Sequence, residues 1–241
     1  MEWHDEGLII GLRKHGESSV ILEVMTRAHG RHLGLVKGGR SKRMQPLLQP
    51  GNSVSLVWRA RLEEHLGLYV VEVTDLRAAR LMTHGASLQG LNLLAALLRL
   101  LPERDLHPAL HEAAVFIADQ LDDSEVAPAL LARFELAILA DLGFGLDLSC
   151  CAATGTMEDL VFVSPKSGRA VSRTAGEPYR DRLLPLPGFL LGEMGDRPLP
   201  ADIRDAFTLA AFFLARDVFG PRGLTLPDAH SAYMVALAKP R

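Results

Sequence analysis

The first eighty residues alternate between apolar and polar positions with the period of two that is typical of β-strands. Apolar runs at 7–12, 19–26 and 32–37 are separated by turns that contain Gly16 and Gly30, and they predict a three-stranded meander. The alternation over 54–63 and the apolar run at 66–74 predict a hairpin. So small a sheet must curl on itself to bury a core, which predicts a five-stranded OB barrel.

The phase of this alternation assigns side chains to the two faces of the predicted hairpin. Trp58 falls on the apolar face of the fourth strand, so it is predicted in the core, and Arg59 and Arg61 fall on the outer face. In the fifth strand the alternate residues 66, 68 and 70 are predicted to share the apolar face. That phase places Tyr69 on the opposite face, as a candidate surface on which bases stack.

From about residue 76 the hydrophobic period changes to 3.6, which predicts helices. One helix is predicted over 88–101, two more open at Pro108 and Pro128, and a last one is capped by Asp202 and ends at Gly220. The intervening segment 144–200 is rich in Gly, Pro, Ser and Thr and predicts a short β-hairpin around 160–163 and 169–172. The expected fold is α+β: an N-terminal OB barrel (1–78), then a mostly helical C-terminal domain (79–241) with a small, degenerate zinc-finger-like hairpin insertion in 144–200.

Charge is divided unevenly along the chain of 241 residues, which is 48% hydrophobic and carries a formal net charge of −3. Residues 1–80 contain 12 basic and 9 acidic side chains, whereas the remainder contains 14 and 20. A basic N-terminal part favours a polyanionic partner. The two cysteines are adjacent, and neither a signal peptide nor a membrane span is recognisable, so we expect a cytoplasmic, nucleoid-associated protein without a membrane partner.

The segment Lys37–Arg43 has four cations in seven residues around a Gly-Gly pair. A flexible cationic loop of this kind favours phosphates, although a solvated connector is the alternative. Further cations flank it at turns and strand ends of the same barrel, and barrel loops cluster near one rim, so we expect the charges to converge. The predicted DNA-binding residues are Arg13, Lys14, Arg27, Arg31, Lys37, Arg40, Lys42, Arg43, Arg59 and Arg61.

Patterns that would indicate a metal or a catalytic centre are incomplete. Cys151 is followed at the second position of a zinc knuckle by Thr154, and no further cysteine completes a ligand set. His107 and His111 are four residues apart, but the HExxH order is missing. No nucleotide-binding or hydrolase motif is present, so we expect no cofactor, no metal and no enzymatic activity. An OB-fold RNA-binding factor, and a small hydrolase that uses Cys151 or a histidine pair, are the competing hypotheses.

Several short motifs resemble the RecO family in the family's order. In the N-terminal part they are Gly16-Glu17-Ser18-Ser19, Thr26 with His29-Gly30, Lys37-Gly38 and Leu48-Gln49-Pro50. In the C-terminal part they are Arg133-Phe134-Glu135, Leu142-Gly143 and Cys151 with Thr154-Gly155.

The resemblance implies an OB-fold domain followed by a helical domain, in a bacterial recombination mediator. It further implies binding to single- and double-stranded DNA, annealing of complementary strands, and help in loading RecA onto DNA coated by single-strand-binding protein. The expected partners are RecR and the acidic tail of single-strand-binding protein. Many relatives carry a four-cysteine zinc motif, of which this chain keeps only Cys151, so the resemblance does not carry a metal over.

Overall fold

The computed structural model describes residues 1–192 and 197–239. Its N-terminal part is a closed barrel with the strand order β1-β2-β3-β5-β4. Neighbouring strands are antiparallel except β3 and β5, and β1 also pairs with β4 to close the sheet. The strands are β1 (Glu2–His15), β2 (Ser19–Thr26), β3 (Arg31–Val36), β4 (Ser53–Arg59) and β5 (Leu68–Asp75). The predicted five-stranded OB-type barrel is therefore confirmed.

Inward-facing aliphatic and aromatic side chains fill the barrel, and each fully buried one contributes about 1.5–3 kcal/mol. Trp58 is only 1% exposed, as its place in the alternation predicted. Leu48, from the connection between β3 and β4, is fully buried in the same core. The barrel core consists of Ile9, Val20, Leu22, Val24, Val36, Leu48, Val54, Leu56, Trp58 and Tyr69.

The predicted phase of β5 is wrong. Tyr69 is 4% exposed and lies in the core, whereas Leu68 and Val70 are 37% and 58% exposed. Tyr69 lies directly opposite Trp58 in the ladder, so the two side chains share the inward face. The Tyr69 hydroxyl is 2.9 Å from Nδ1 of His32, in hydrogen-bond contact. A stacking surface for bases at Tyr69 is excluded because the ring is buried.

The barrel belongs to a compact unit that comprises Met1–Ser124 together with residues 235–239. Its helices are α1 (Ala78–Leu81), α2 (Gly85–Leu98) and α3 (Pro108–Gln120). Both α2 and α3 contact β1. Pro108 stands in the first turn of α3, where its missing N–H costs no hydrogen bond, as predicted.

The second compact unit, Glu125–Met234, is mostly helical. It contains α4 (Ala127–Asp141), α5 (Arg173–Gly176), α6 (Pro200–Phe213) and the beginning of α7 (Asp228–Leu237), which sequence patterning did not predict. A π-helical turn (Leu214–Phe219) and a 3-10 turn (Gly220–Arg222) extend α6. Pro128 lies in the first turn of α4, as predicted. Asp202 lies within the first turn of α6 and accepts a hydrogen bond from the Leu199 N–H at 2.9 Å, so it is not the cap residue itself.

A small sheet with the order β7-β6-β8 lies in the second unit. Its strands are β6 (Leu160–Val163), β7 (Ala170–Ser172) and β8 (Leu184–Pro185). The predicted hairpin is present as β6 and β7, while its zinc-finger-like character is not confirmed. Residues 193–196 of the predicted segment 144–200 lie outside the described residues. The proposed domain boundary between residues 78 and 79 stays a prediction. Among the helices of the described residues, none has the length and apolar character required to cross a bilayer.

Candidate nucleic-acid interface

Two connections meet at one end of the barrel: the β1–β2 turn (16–18) and the β3–β4 connection (37–52). The ladders pair Lys14 with Val20 and Val20 with Val36, which places the starts of both connections side by side. Arg40 then joins them. Its backbone N–H donates to the Ser18 carbonyl and its Nη1 donates to the Gly16 carbonyl, each at 2.9 Å.

The β3–β4 connection is anchored to the barrel at several points, and the flexibility expected of the cationic loop stays a prediction. Leu48 holds it from one side by complete burial in the core. On the other side Gly39 lies so close to Val20 that an added Cβ would be 2.5 Å from its Cγ2 atom. Turn hydrogen bonds also link the Ser41 N–H to the Gly38 carbonyl at 3.0 Å. The backbone that carries the cations of this segment is therefore attached to the barrel at several points.

Six of the ten predicted cations gather at this end of the barrel and form what we call the loop cluster. Five of the six are exposed, and Arg40 is half-buried between the two connections. Within residues 1–192 and 197–239, none of the other five has an ion pair or a side-chain hydrogen bond, so they are available to external anions. The loop cluster consists of Arg13, Lys14, Lys37, Arg40, Lys42 and Arg43.

The four other predicted residues lie elsewhere, so the expectation that Arg27 and Arg31 share one rim with the loop cluster is wrong. Arg27 and Arg31 flank the β2–β3 turn at the far end of β2, about 23 Å away at 3.3 Å per strand residue. Arg59 is the last residue of β4, at that opposite end, and its Nε is 2.7 Å from the Glu2 carboxylate. Arg61 lies two residues further along the chain and is exposed. The two ends of a strand lie at opposite ends of the barrel, so the turns before and after β2 cannot be neighbours. This is why Arg27 and Arg31 are separated from the loop cluster.

Arg31 is engaged within the protein. Its Nη1 atom is 2.8 Å from Glu23, and its Nε donates to the Leu101 carbonyl at 3.1 Å. Arg99 also binds Glu23, at 2.7 Å, so this carboxylate joins two arginines. Arg27 is exposed and contacts Glu112 at 3.4 Å. Arg31 therefore links β3 to β2 through the ion pair with Glu23, and to the segment after α2 through the hydrogen bond to the Leu101 carbonyl.

This segment, 99–107, covers the opposite end of the barrel, and no sequence pattern indicated that it does so. Arg104 donates to the carbonyls of Glu63 and His65, at 2.6 and 3.1 Å, and so holds the β4–β5 connection. Burial, followed by the positive charge of Arg104, lowers the pKa of His32 to about 4, so that imidazole is neutral at pH 7. These contacts join residues about 40 positions apart, and no local pattern indicates them.

The cysteine and histidine side chains considered for a hydrolase or a metal site are buried or lack further ligands. Cys151 is 1% exposed, and its Sγ accepts hydrogen bonds from the Ser172 N–H and hydroxyl at 3.2 and 3.4 Å. Burial opposes ionisation, but hydrogen bonds from Ser172, the Thr154 side chain and the Ala153 backbone together outweigh it and lower the pKa of Cys151 to about 6. His111 is buried in α3, and that burial lowers its pKa. The described part of the chain contains no group of three or more His, Cys, Asp or Glu side chains that could hold a metal ion.

These features define an OB-barrel protein with a helical C-terminal region. The family model for the recombination protein O N-terminal domain matches residues 1–77, and that for its C-terminal domain matches residues 86–223. The chain is 60% identical to the "DNA repair protein RecO" of Mesorhizobium japonicum over 99% of this chain and 94% of that protein. It is 61% identical to the proteins of the same name from Methylocella silvestris and Chelativorans sp., covering 99% of this chain and 97% and 96% of theirs. The chain belongs to the RecO family.

Proposed function

We propose that this chain is a DNA repair and recombination mediator that binds single- and double-stranded DNA through phosphate contacts at the loop cluster. The observation that carries the proposal is that Arg40 joins the cationic β3–β4 connection to the β1–β2 turn, which directly follows the end of β1 with Arg13 and Lys14. Phosphate contacts require positive charge and N–H donors at suitable positions, but no base-specific geometry. Both single strands and duplexes present such phosphates, so one surface serves both.

Strand annealing follows from the same charges. Two complementary strands repel each other through their phosphates, and a surface that neutralises several phosphates lowers that repulsion and holds the strands at high local concentration. Because the contacts are mainly to phosphate, we expect binding to tolerate most sequences and to weaken steeply with salt.

The proposed mediator acts by binding and without catalysis. It assists the loading of RecA onto DNA coated by single-strand-binding protein, with RecR and the acidic tail of single-strand-binding protein as partners, in the cytoplasm. Capture of the tail raises the effective concentration of the annealing protein at coated DNA. Membership of a family whose relatives are named as DNA repair proteins supports this role, and the enclosure of the Cys151 thiol argues against a nucleophile there.

The test is a salt titration of DNA binding by a variant that lacks two exposed cations of the loop cluster. Lys42→Ala with Arg43→Ala removes two point charges without touching the anchored part of the connection. We expect weaker binding to single- and double-stranded oligonucleotides. We also expect the slope of log K against log salt to be shallower by about 1.4 for single strands and about 1.8 for duplexes.

A matched control removes one exposed lysine and one exposed arginine from the second compact unit, Lys166→Ala with Arg222→Ala. Its salt slope should stay within error of the native protein. An unchanged slope in the loop-cluster variant would contradict the proposed interface. The involvement of Arg27, Arg31, Arg59 and Arg61 in DNA binding stays a prediction, and single alanine variants measured in the same titration test it.

A further inference from the structure

A pocket of about 280 Å³ opens on the outside of the barrel, across β1, β2 and β3. Gly11, Glu23 and Leu33 lie opposite one another in the ladders, and Arg13 lies opposite Ile21, so each set shares a face of the sheet. Arg13 also belongs to the loop cluster, so the pocket adjoins the cationic connections directly. The pocket is lined by Leu12, Arg13, Ile21, Glu23, Leu33 and Arg99.

The pocket has apolar side chains at its bottom and the fixed guanidinium of Arg99 at its edge. Ile21 and Leu33 provide aliphatic surface that makes no hydrogen bonds. Arg99 is held from two sides: its Nε binds Glu23 and its Nη2 donates to the Ile10 carbonyl, both at 2.7 Å. Gly11 leaves room for this arrangement, since an added Cβ would lie 2.1 Å from Nη2 of Arg99. The Arg99 side chain nevertheless remains 44% exposed, so it can contact a ligand.

We propose that this pocket receives one unpaired base of a single DNA strand whose phosphates lie on the loop cluster. This inference rests on the proposed function and specifies what lies beside the phosphates. The pocket suits an apolar ring better than a phosphate, because the Arg99 guanidinium is already paired with Glu23 and the aliphatic surface cannot solvate an anion. A base presents a flat apolar face to leucine and isoleucine, and arginine guanidinium planes stack on bases.

The pocket should distinguish single strands from duplexes. In a duplex the bases are stacked and paired, so none can enter without the free-energy cost of unpairing. Duplex binding then depends on the loop cluster alone, while single-strand binding depends on both surfaces. This difference separates the pocket from the phosphate interface experimentally.

The variant for the test is Leu33→Gln, which makes the pocket polar at similar side-chain volume without changing any charge. We expect single-strand affinity to fall about five- to tenfold, the scale of losing one stacked base, while duplex affinity and the duplex salt slope stay unchanged. Leu35→Gln is the matched control, because Leu35 is also half-buried, lies two residues along β3 on the same face and does not line the pocket. Thermal unfolding of both variants confirms that they are folded.

A second measurement uses the native protein and requires no substitution. A single-stranded oligonucleotide with several abasic sites keeps its phosphates but lacks bases, and it should bind about five- to tenfold more weakly than the intact strand. Equal affinity for the abasic and intact strands would overturn the base pocket and leave the phosphate interface standing. Equal losses in Leu33→Gln and Leu35→Gln would also overturn it, and so would tighter binding of single-stranded RNA than of DNA. Failure of all DNA binding would instead refute the proposed function.

Discussion

Glu135 illustrates how a single buried residue contributes chemistry that the hydrophobic pattern does not express. It lies on α4 with no exposed surface, and burial raises its pKa well above the usual range of a carboxyl. Its Oε1 atom is 3.5 Å from Nε2 of His230, and burial lowers the pKa of that imidazole. Burial and, secondarily, the charge of Glu135 also raise the pKa of Tyr233. The carboxyl is therefore protonated in the folded protein over a range in which the unfolded chain ionises.

We predict that Glu135→Gln increases the free energy of unfolding at pH 7, because the amide, unlike the carboxyl, does not ionise in the unfolded chain and so does not favour unfolding. Because the pKa of this carboxyl is higher in the folded protein than its value of 4.5 in the unfolded chain, the native protein loses stability as the pH rises above 4.5. The stability gained by the Gln variant should therefore vanish near pH 4. Urea unfolding at the two pH values measures this. A loss of stability at pH 7 would mean instead that Glu135 and His230 form an ionised pair.

Gly30 is required by both conformation and space. Its φ is +63°, and a Cβ would lie 1.7 Å from the Asp105 carbonyl oxygen. We predict that Gly30→Ala lowers the free energy of unfolding by more than about 3 kcal/mol, since the covering segment must move.

The matched control for that substitution is Gly38→Ala, at a φ of +69° with no atom near the added Cβ. It should cost only the left-handed conformation, about 1–2 kcal/mol. Equal effects of the two substitutions in chemical denaturation would show that the contact with Asp105 does not restrict residue 30.

At the scale of elements, pairing decided what periodicity left open. The alternation in β4 has polar residues on one face only, and its phase was predicted correctly. The sequence of β5 is apolar on both faces, because Leu68 and Val70 alternate with Tyr69 and Val71. Such a pattern fits either register, and the hydrogen-bonded partner Trp58 determines which side chains enter the core.

The β3–β4 connection is the element on which the proposed interface depends. We predict that Arg40→Ala loosens it, because the hydrogen bond from Nη1 to the Gly16 carbonyl is lost. Amide hydrogen exchange at Ser41 and Met44 should accelerate about fivefold, for a net hydrogen bond of about 1 kcal/mol.

Lys42→Ala serves as the control for that measurement, since Lys42 is exposed and anchors nothing within the described residues. It should weaken DNA binding without changing the exchange rates. Unchanged exchange in Arg40→Ala would assign the anchoring of the connection to Leu48 and the backbone hydrogen bonds alone.

At the scale of the whole molecule, the two compact units carry different features. The unit with the barrel holds the loop cluster and the base pocket, whereas the second unit holds the buried Glu135 and the Cys151 hairpin. The Cys151 Sγ accepts a hydrogen bond from the Ser172 N–H. Thr154 occupies the position where a zinc knuckle would place a second thiolate.

We predict that protein purified without chelator contains much less than one zinc per chain, measured by elemental analysis. Cys151→Ser should retain DNA affinity and annealing, because Cys151 lies outside the proposed interface. Stoichiometric zinc, or loss of DNA annealing in a folded Cys151→Ser protein, would contradict the metal-free, non-catalytic role that we propose.

Local patterns in the chain were enough to predict the α+β class, the five strands, the helix starts at Pro108 and Pro128, and the family. These features follow from local periodicity, turn chemistry and short motifs. The grouping of the cations came from folding: six lie at one end of the barrel, four lie elsewhere, and Arg31 is paired with Glu23. The pocket and the covering segment likewise depend on contacts between distant residues, because closure of a barrel sets which strand ends are neighbours.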